Sequence, residues 1–247
     1  MSQSTPHLDD IVESDPRIDH ESLRWIDTDG SPLLLVGVVH DHPASEYRVS
    51  ALVEAVDPET VALELPELVV SADSRDHAAA AVGGEMAAAI AASGATPVVG
   101  IDLPGRQTVR TLVAELREQQ PALRTVLRTG RSIVRMGGHA VASRLVQAGV
   151  PGLSSIATLD RTQKYDLQRD ASPSAQAEHE AAHRHRSTTL LRAFEPPPST
   201  SVLDAVRERY MAARLESIRE DGLVVAVVGY SHLDRIETRI RHDCTDC

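Results

Sequence analysis

The stretch Leu33-Leu-Leu-Val-Gly37-Val-Val-His40 decides the fold. It is a short, β-branched apolar run that stops at a glycine and presents an imidazole three residues later. The same device returns in Leu223-Val-Val-Ala-Val-Val-Gly229-Tyr-Ser-His232. Uninterrupted apolar runs of this length, bounded by turn residues, predict strands buried on both faces, the pattern of a parallel sheet under helices. Each histidine then falls just past the carboxyl edge of its strand, where ligands bind in open α/β sheets.

Working outward, Ser22–Asp27 and Pro32–Gly37 flank Thr28-Asp-Gly-Ser31, and Asp-Gly between apolar runs predicts an antiparallel edge hairpin. After His40, Ser45 is placed to cap a helix running to Val56, ended by Asp57-Pro58. Thr60-Val-Ala-Leu-Glu64-Leu65 and Pro97-Val-Val-Gly-Ile-Asp102 follow as parallel strands, with an alanine-rich helix from Asp73 to Ala95 between them. Arg106–Gln119 and Ala122–Val150 read as helices, the second broken at Gly137-Gly138. From Pro151 to Pro198 the apolar periodicity fades. An amphipathic helix over Val202–Arg219, the last strand and a short helix after His232 complete the chain. The expected class is α/β: a central, mostly parallel sheet flanked by helices, with an N-terminal antiparallel edge hairpin. The expected organisation is a flexible acidic leader over 1–21, one domain over 22–242 with a helical insertion at about 121–198, and a tail over 243–247.

Composition narrows the partners. A net charge of −11 and a pI near 5.4 argue against nucleic acid and, equally, against an anionic membrane surface. Lys164 is the only lysine, a balance that points to a high-GC source or a salt-adapted, halophile-like one, which composition does not separate. No apolar run reaches the roughly twenty residues that span a bilayer, and Met1–Ser22 lacks the features of a signal peptide, so a cytoplasmic location is expected. Cys244 and Cys247 form a C-x-x-C in the final residues that reads as a loose tail. The sequence leaves the oligomeric state open.

Four strands therefore end in His40, Glu64, Asp102 and His232. Laid side by side, two imidazoles and two carboxylates converge, and such a set can hold a divalent metal such as manganese, cobalt or zinc. That metal would activate water and polarise a carbonyl. The competing reading is that each residue only caps its strand end.

The ordered set Val36–His40, Val61–Leu65, Val98–Asp102, Val206-Arg207-Glu208-Arg209-Tyr210-Met211-Ala212 and Val225–Leu233 resembles the TraB/PrgY family of pheromone-shutdown proteins, related to the GumN/TIKI group. The resemblance spans most of the chain from Leu33 to Ile236. It implies the α/β fold of the erythromycin-esterase-like and ChaN-like proteins, with His40 and His232 from the paired Gly-x-x-His motifs and Glu64 as the essential acid. It further implies that Arg207 binds a substrate carboxylate or a developing oxyanion. Metal-dependent, peptidase-like hydrolysis of a peptide or small-molecule substrate is the expected activity. The alternatives are a non-catalytic binder of a peptide or other signal in the same cleft, and a metal-free variant in which one histidine is the general base.

His179-Glu-Ala-Ala-His183 spells the zincin H-E-x-x-H, with His185 nearby. Its surroundings are small or charged, which favours a solvated helix over a zincin helix. His42 is a candidate to support His40, Tyr230 to line the pocket, and His77 and His139 read as surface or capping histidines.

Overall fold

A computed structural model describes residues 8–28, 30–70, 82–105, 107–147, 163–193 and 197–243. Among them are five strands: β1 (Leu23–Ile26), β2 (Leu33–Val38), β3 (Thr60–Pro66), β4 (Val98–Asp102) and β5 (Val224–Gly229). The helices are α1 (Leu8–Ser14), α2 (Pro43–Val56), α3 (Gly84–Ala92), α4 (Thr108–Gln119), α5 (Leu123–Gln147), α6 (Pro173–Ala193), α7 (Pro198–Ile218) and α8 (Leu233–Asp243). His77, the side chain of His139, Cys244 and Cys247 lie outside the described residues, as do positions 73–81 of the expected alanine-rich helix.

The strands form one sheet in the order β1-β2-β5-β3-β4. β1 runs antiparallel to β2 and every other neighbouring pair is parallel, so the chain has the expected α/β class and antiparallel edge. β5 enters the middle of the sheet: it pairs with β2 from Leu33↔Val224 to Val38↔Gly229, and with β3 from Thr60↔Val224 to Leu63↔Val227. The two Gly-x-x-His ends are thereby adjacent and point the same way.

Alternation along each strand feeds two apolar layers. Leu34, Val36, Leu63 and Val225 pack with Val49, Leu52 and Val56 of α2 and Met86 and Ile90 of α3. On the opposite face, Leu33, Leu35, Val224 and Val228 pack with Met211 and Leu215 of α7 and Ile236 and Ile240 of α8. Burial on both faces explains why β2 and β5 carry no polar residue. A third cluster, Leu103, Ile133, Val202, Val206 and Tyr210, fastens α5 to α7.

Several local expectations change. His42, not Ser45, caps α2: its Nδ1 accepts from the Ala44 N–H at 3.2 Å, while the Ser45 hydroxyl bonds Val39 N. α5 continues through Gly137-Gly138, since a glycine costs a helix only about 1 kcal/mol and packing at Ile133 and Met136 outweighs it. The fold also extends into the stretch read as leader: Ile18 is buried, and Asp19 bonds to Ser22, Arg48 and Arg184.

The H-E-x-x-H segment lies in α6, and the expectation of a solvated helix is corrected there. Glu180 is buried against Arg48 and Ser45 of α2, and Arg184 bonds Asp19 and Ser22. The helix lacks an apolar stripe because it docks through charge, which hydropathy cannot register. Arg48 further donates to the carbonyls of Arg17 and Gly37, tying the N-terminal segment, β2 and α6 together. No helix among the described residues is long and apolar enough to cross a membrane.

Arg48→Met should destabilise the fold by about 3–5 kcal/mol in urea melts, because it leaves the buried Glu180 carboxylate uncompensated. The double variant Arg48→Met/Glu180→Leu should recover the larger part of that loss.

Candidate active site

The sheet's carboxyl edge gathers all four strand-end residues. Their spacing follows from the topology: the glycine at 229 sits between β2 and β3, and a Cβ built there would lie 3.2 Å from His40 Nε2, 3.3 Å from Glu64 Oε2 and 3.7 Å from His232 Cδ2. Both imidazoles therefore border one point, well inside the roughly 10 Å beyond which no metal could be shared. The absent side chain at Gly229 keeps the approach to both polar atoms open.

Glu64 is aimed by an irregularity in the sheet. The β3–β4 register shifts between Leu63 and Pro66, and such bulges redirect side chains. Gly100 makes room for it, since a Cβ there would stand 2.6 Å from Leu65 O.

Two carboxylates at a buried edge require a counter-charge, and α7 supplies Arg207. Its Nη2 donates to Glu64 Oε1 at 2.5 Å and to Asp102 Oδ2 at 2.7 Å, and its Nε bonds Asp102 Oδ1 at 3.1 Å. Glu64 Oε2 accepts the Gly229 N–H at 2.5 Å, and Asp102 Oδ1 also accepts the Leu103 N–H. Burial would raise the Glu64 pKa, but Arg207, His232, His40 and the Gly229 N–H outweigh it and hold the carboxyl below its ordinary range. Burial likewise opposes the charge on Arg207, and Asp102 and Glu64 restore it, so its pKa is raised.

Each histidine is backed by a buried acid that sequence reading did not single out. His40 Nδ1 bonds Glu85 Oε1 at 2.7 Å, and Glu85 Oε2 accepts the Asp41 N–H at 2.8 Å. The His40 side chain is otherwise 54 % exposed. Glu85 raises the His40 pKa to about 9 against the effect of burial, with Glu64 and Asp41 adding to the rise. His232 Nδ1 bonds Glu208 Oε1 at 2.9 Å, and its Nε2 lies 3.3 Å from Arg207 Nη1. Burial pushes the His232 pKa down, whereas Glu208 and Glu64 push it up, and the net shift is upward. The available signals were faint: Glu85 is the one acid of α3, directly after Gly83-Gly84, and Glu208 adjoins Arg207.

The expected metal set does not fit the donors as they stand. Arg207 and backbone N–H groups engage the oxygens of Glu64 and Asp102, and Arg207 Nη1 faces His232 Nε2. Among the described residues no three His, Cys, Asp or Glu side chains are grouped to hold a metal ion. The guanidinium contributes the positive charge that a divalent cation would bring.

Next to this network, and sharing His40 and Gly229 with it, lies a cleft of about 460 Å³, walled by His40, Gly229 and Tyr230 on one side and by His183, Arg184 and Thr188 of α6 on the other. Of the H-E-x-x-H residues, only His183 lines it. His179 Nδ1 meets His42 Nε2 at 3.1 Å, and Glu180 is committed to Arg48. Burial lowers the His42 pKa to about 4, so this ring is neutral in ordinary buffers. His42 packs edge-on against Tyr165, whose hydroxyl donates to His40 O at 2.6 Å. His42 thus supports His40 through Tyr165 and the backbone. No protein-family model matches the chain, and no curated protein or solved structure matches it either.

In an NMR titration, the His40 ring should titrate near pH 9. Glu85→Gln should bring that midpoint toward the ordinary histidine value of about 6.5, because the carboxylate that favours the charged ring is gone.

Proposed function

We propose that this cleft belongs to a hydrolase that cleaves an amide or ester bond, peptidase-like in the sense that the TraB/PrgY resemblance implies. The observation that carries the reading is His40: a buried acid holds its Nδ1, while its Nε2 lies against Gly229 at the wall of an open cleft. A histidine fixed in this way has the tautomer and orientation of a general base.

In its neutral form, His40 Nε2 takes a proton from a water whose oxygen attacks the scissile carbonyl carbon. The imidazolium so formed is stabilised by Glu85 and returns the proton to the leaving group. Arg207, its donors engaged by Glu64, Asp102 and His232, favours charge developing on the carbonyl oxygen through its field rather than by direct contact. His232 orients Arg207 from the side, its own tautomer fixed by Glu208. Glu64 anchors Arg207 and, through the Gly229 N–H, the end of β5.

A second reading, dependence on manganese, cobalt or zinc, has one observation in its favour. Both histidines carry a carboxylate on Nδ1, as metal-ligating histidines usually do. It requires Arg207 to give up Glu64.

The purified protein should be assayed against peptide and ester libraries, with chelator and with each metal added. Turnover that survives chelation supports the base mechanism; turnover lost on chelation and restored by metal supports the metal-dependent reading. Binding of a peptide without turnover makes the chain a sequestering protein instead. Under the base mechanism, His40→Ala should lower kcat about 10²–10⁴-fold. Gly229→Ala should lower activity while preserving the fold, because its methyl narrows the space beside His40 and Glu64. His183→Ala should act mainly on KM.

The sign of the pH dependence follows from the His40 pKa near 9. Below it the ring is protonated and cannot accept a proton, so kcat/KM should rise about tenfold per pH unit from neutrality and level off above pH 9.

A further inference from the structure

We propose that α5 is a docking surface for anionic lipid bilayers, independent of the cleft. Its inner face is accounted for: Ile133 joins the apolar cluster with α7, and the Thr129 hydroxyl donates to Ser199 O. Two further stripes remain outside. Arg124, Arg128, Arg131 and Arg135, spaced by four, three and four residues, share one helical face and are all exposed. Leu123, Leu127 and Val134, spaced by four and seven, share the adjacent face and are 73 %, 65 % and 76 % exposed.

Both stripes run along the helix side by side, because Leu123, Leu127 and Val134 each immediately precede an arginine of the basic row. The arginine row spans about 16 Å at 1.5 Å per residue. α5 contains no aspartate or glutamate, and no ion pair among the described residues involves these four arginines. The chain's overall charge of −11 hides this concentration of positive charge. It also makes the concentration hard to explain as a general property of the surface.

Charge complementarity selects the occupant. Arginines beside exposed leucine and valine match the two layers of an anionic membrane interface, phosphate headgroups and the acyl boundary just beneath them. A nucleic-acid backbone would use the arginines and leave the apolar stripe in water, which makes it the poorer match.

The test is flotation of the full chain with vesicles of phosphatidylcholine alone and of phosphatidylcholine with phosphatidylglycerol, at low and high salt. Binding to the anionic vesicles only, weakening with salt, is expected. Replacing the four arginines by glutamine should reduce partition about fivefold per arginine, and Leu127→Ser/Val134→Ser should also weaken it. All six positions are exposed, so circular dichroism and melting temperature should be unchanged. Equal binding to neutral vesicles, or no vesicle binding, would overturn the proposal. So would retention by the glutamine variant, or self-association that the same substitutions abolish.

Discussion

Arg207 is the charge on which the sheet edge depends. Glu64 and Asp102 end neighbouring strands and are both nearly shielded from water, an arrangement that mutual repulsion and desolvation would break without a cation between them. One guanidinium spans both, its planar fork of donors meeting Asp102 through Nε and Nη2 and Glu64 through Nη2. Because Glu64 also grips the Gly229 N–H, α7 reaches through its arginine to the end of the central strand. His232, Glu208 and His40 then take positions around an edge already neutralised. Structure and chemistry are inseparable here: the bond that stabilises the acids is also the one that sets the charge of the sheet edge.

Much of this was legible in residue order. The runs at Leu33, Val61, Val98 and Val224 are strands because they are too short and too β-branched for anything else, and their final polar residues mark the edge. Strand order was not written there. That β5 lies between β2 and β3 depends on how α7 and α8 cover one face, a non-local packing problem. The acids behind the imidazoles were equally hidden, since Glu85 and Glu208 matter only for the ring nitrogen each one meets. α6 was misjudged for a related reason. A hydropathy pattern sees apolar stripes, whereas Glu180 and Arg184 bury polar groups whose partners lie more than a hundred residues away.

The distribution of charge carries a similar lesson. A total is the wrong quantity for a molecule whose cations are sorted by role: Arg48, Arg184 and Arg207 are spent on internal acids, while the exposed row on α5 meets none among the described residues. Averaging over the chain merges these populations and erases the difference between a structural cation and one facing solvent.

The central place of β5 has a consequence for how the chain is made. β5 is the last of the five strands to leave the ribosome, yet it is the one on which β2 and β3 both pair. Until residues 224–229 emerge, two apolar strand edges stand open over the synthesis of the whole helical segment between β4 and β5. Such edges invite pairing with each other or with another nascent chain, and contacts this distant in sequence form slowly. Assembly of the sheet and of the histidine pair at its edge therefore waits for β5, and until it arrives the edges of β2 and β3 are the parts of the sheet most exposed to association.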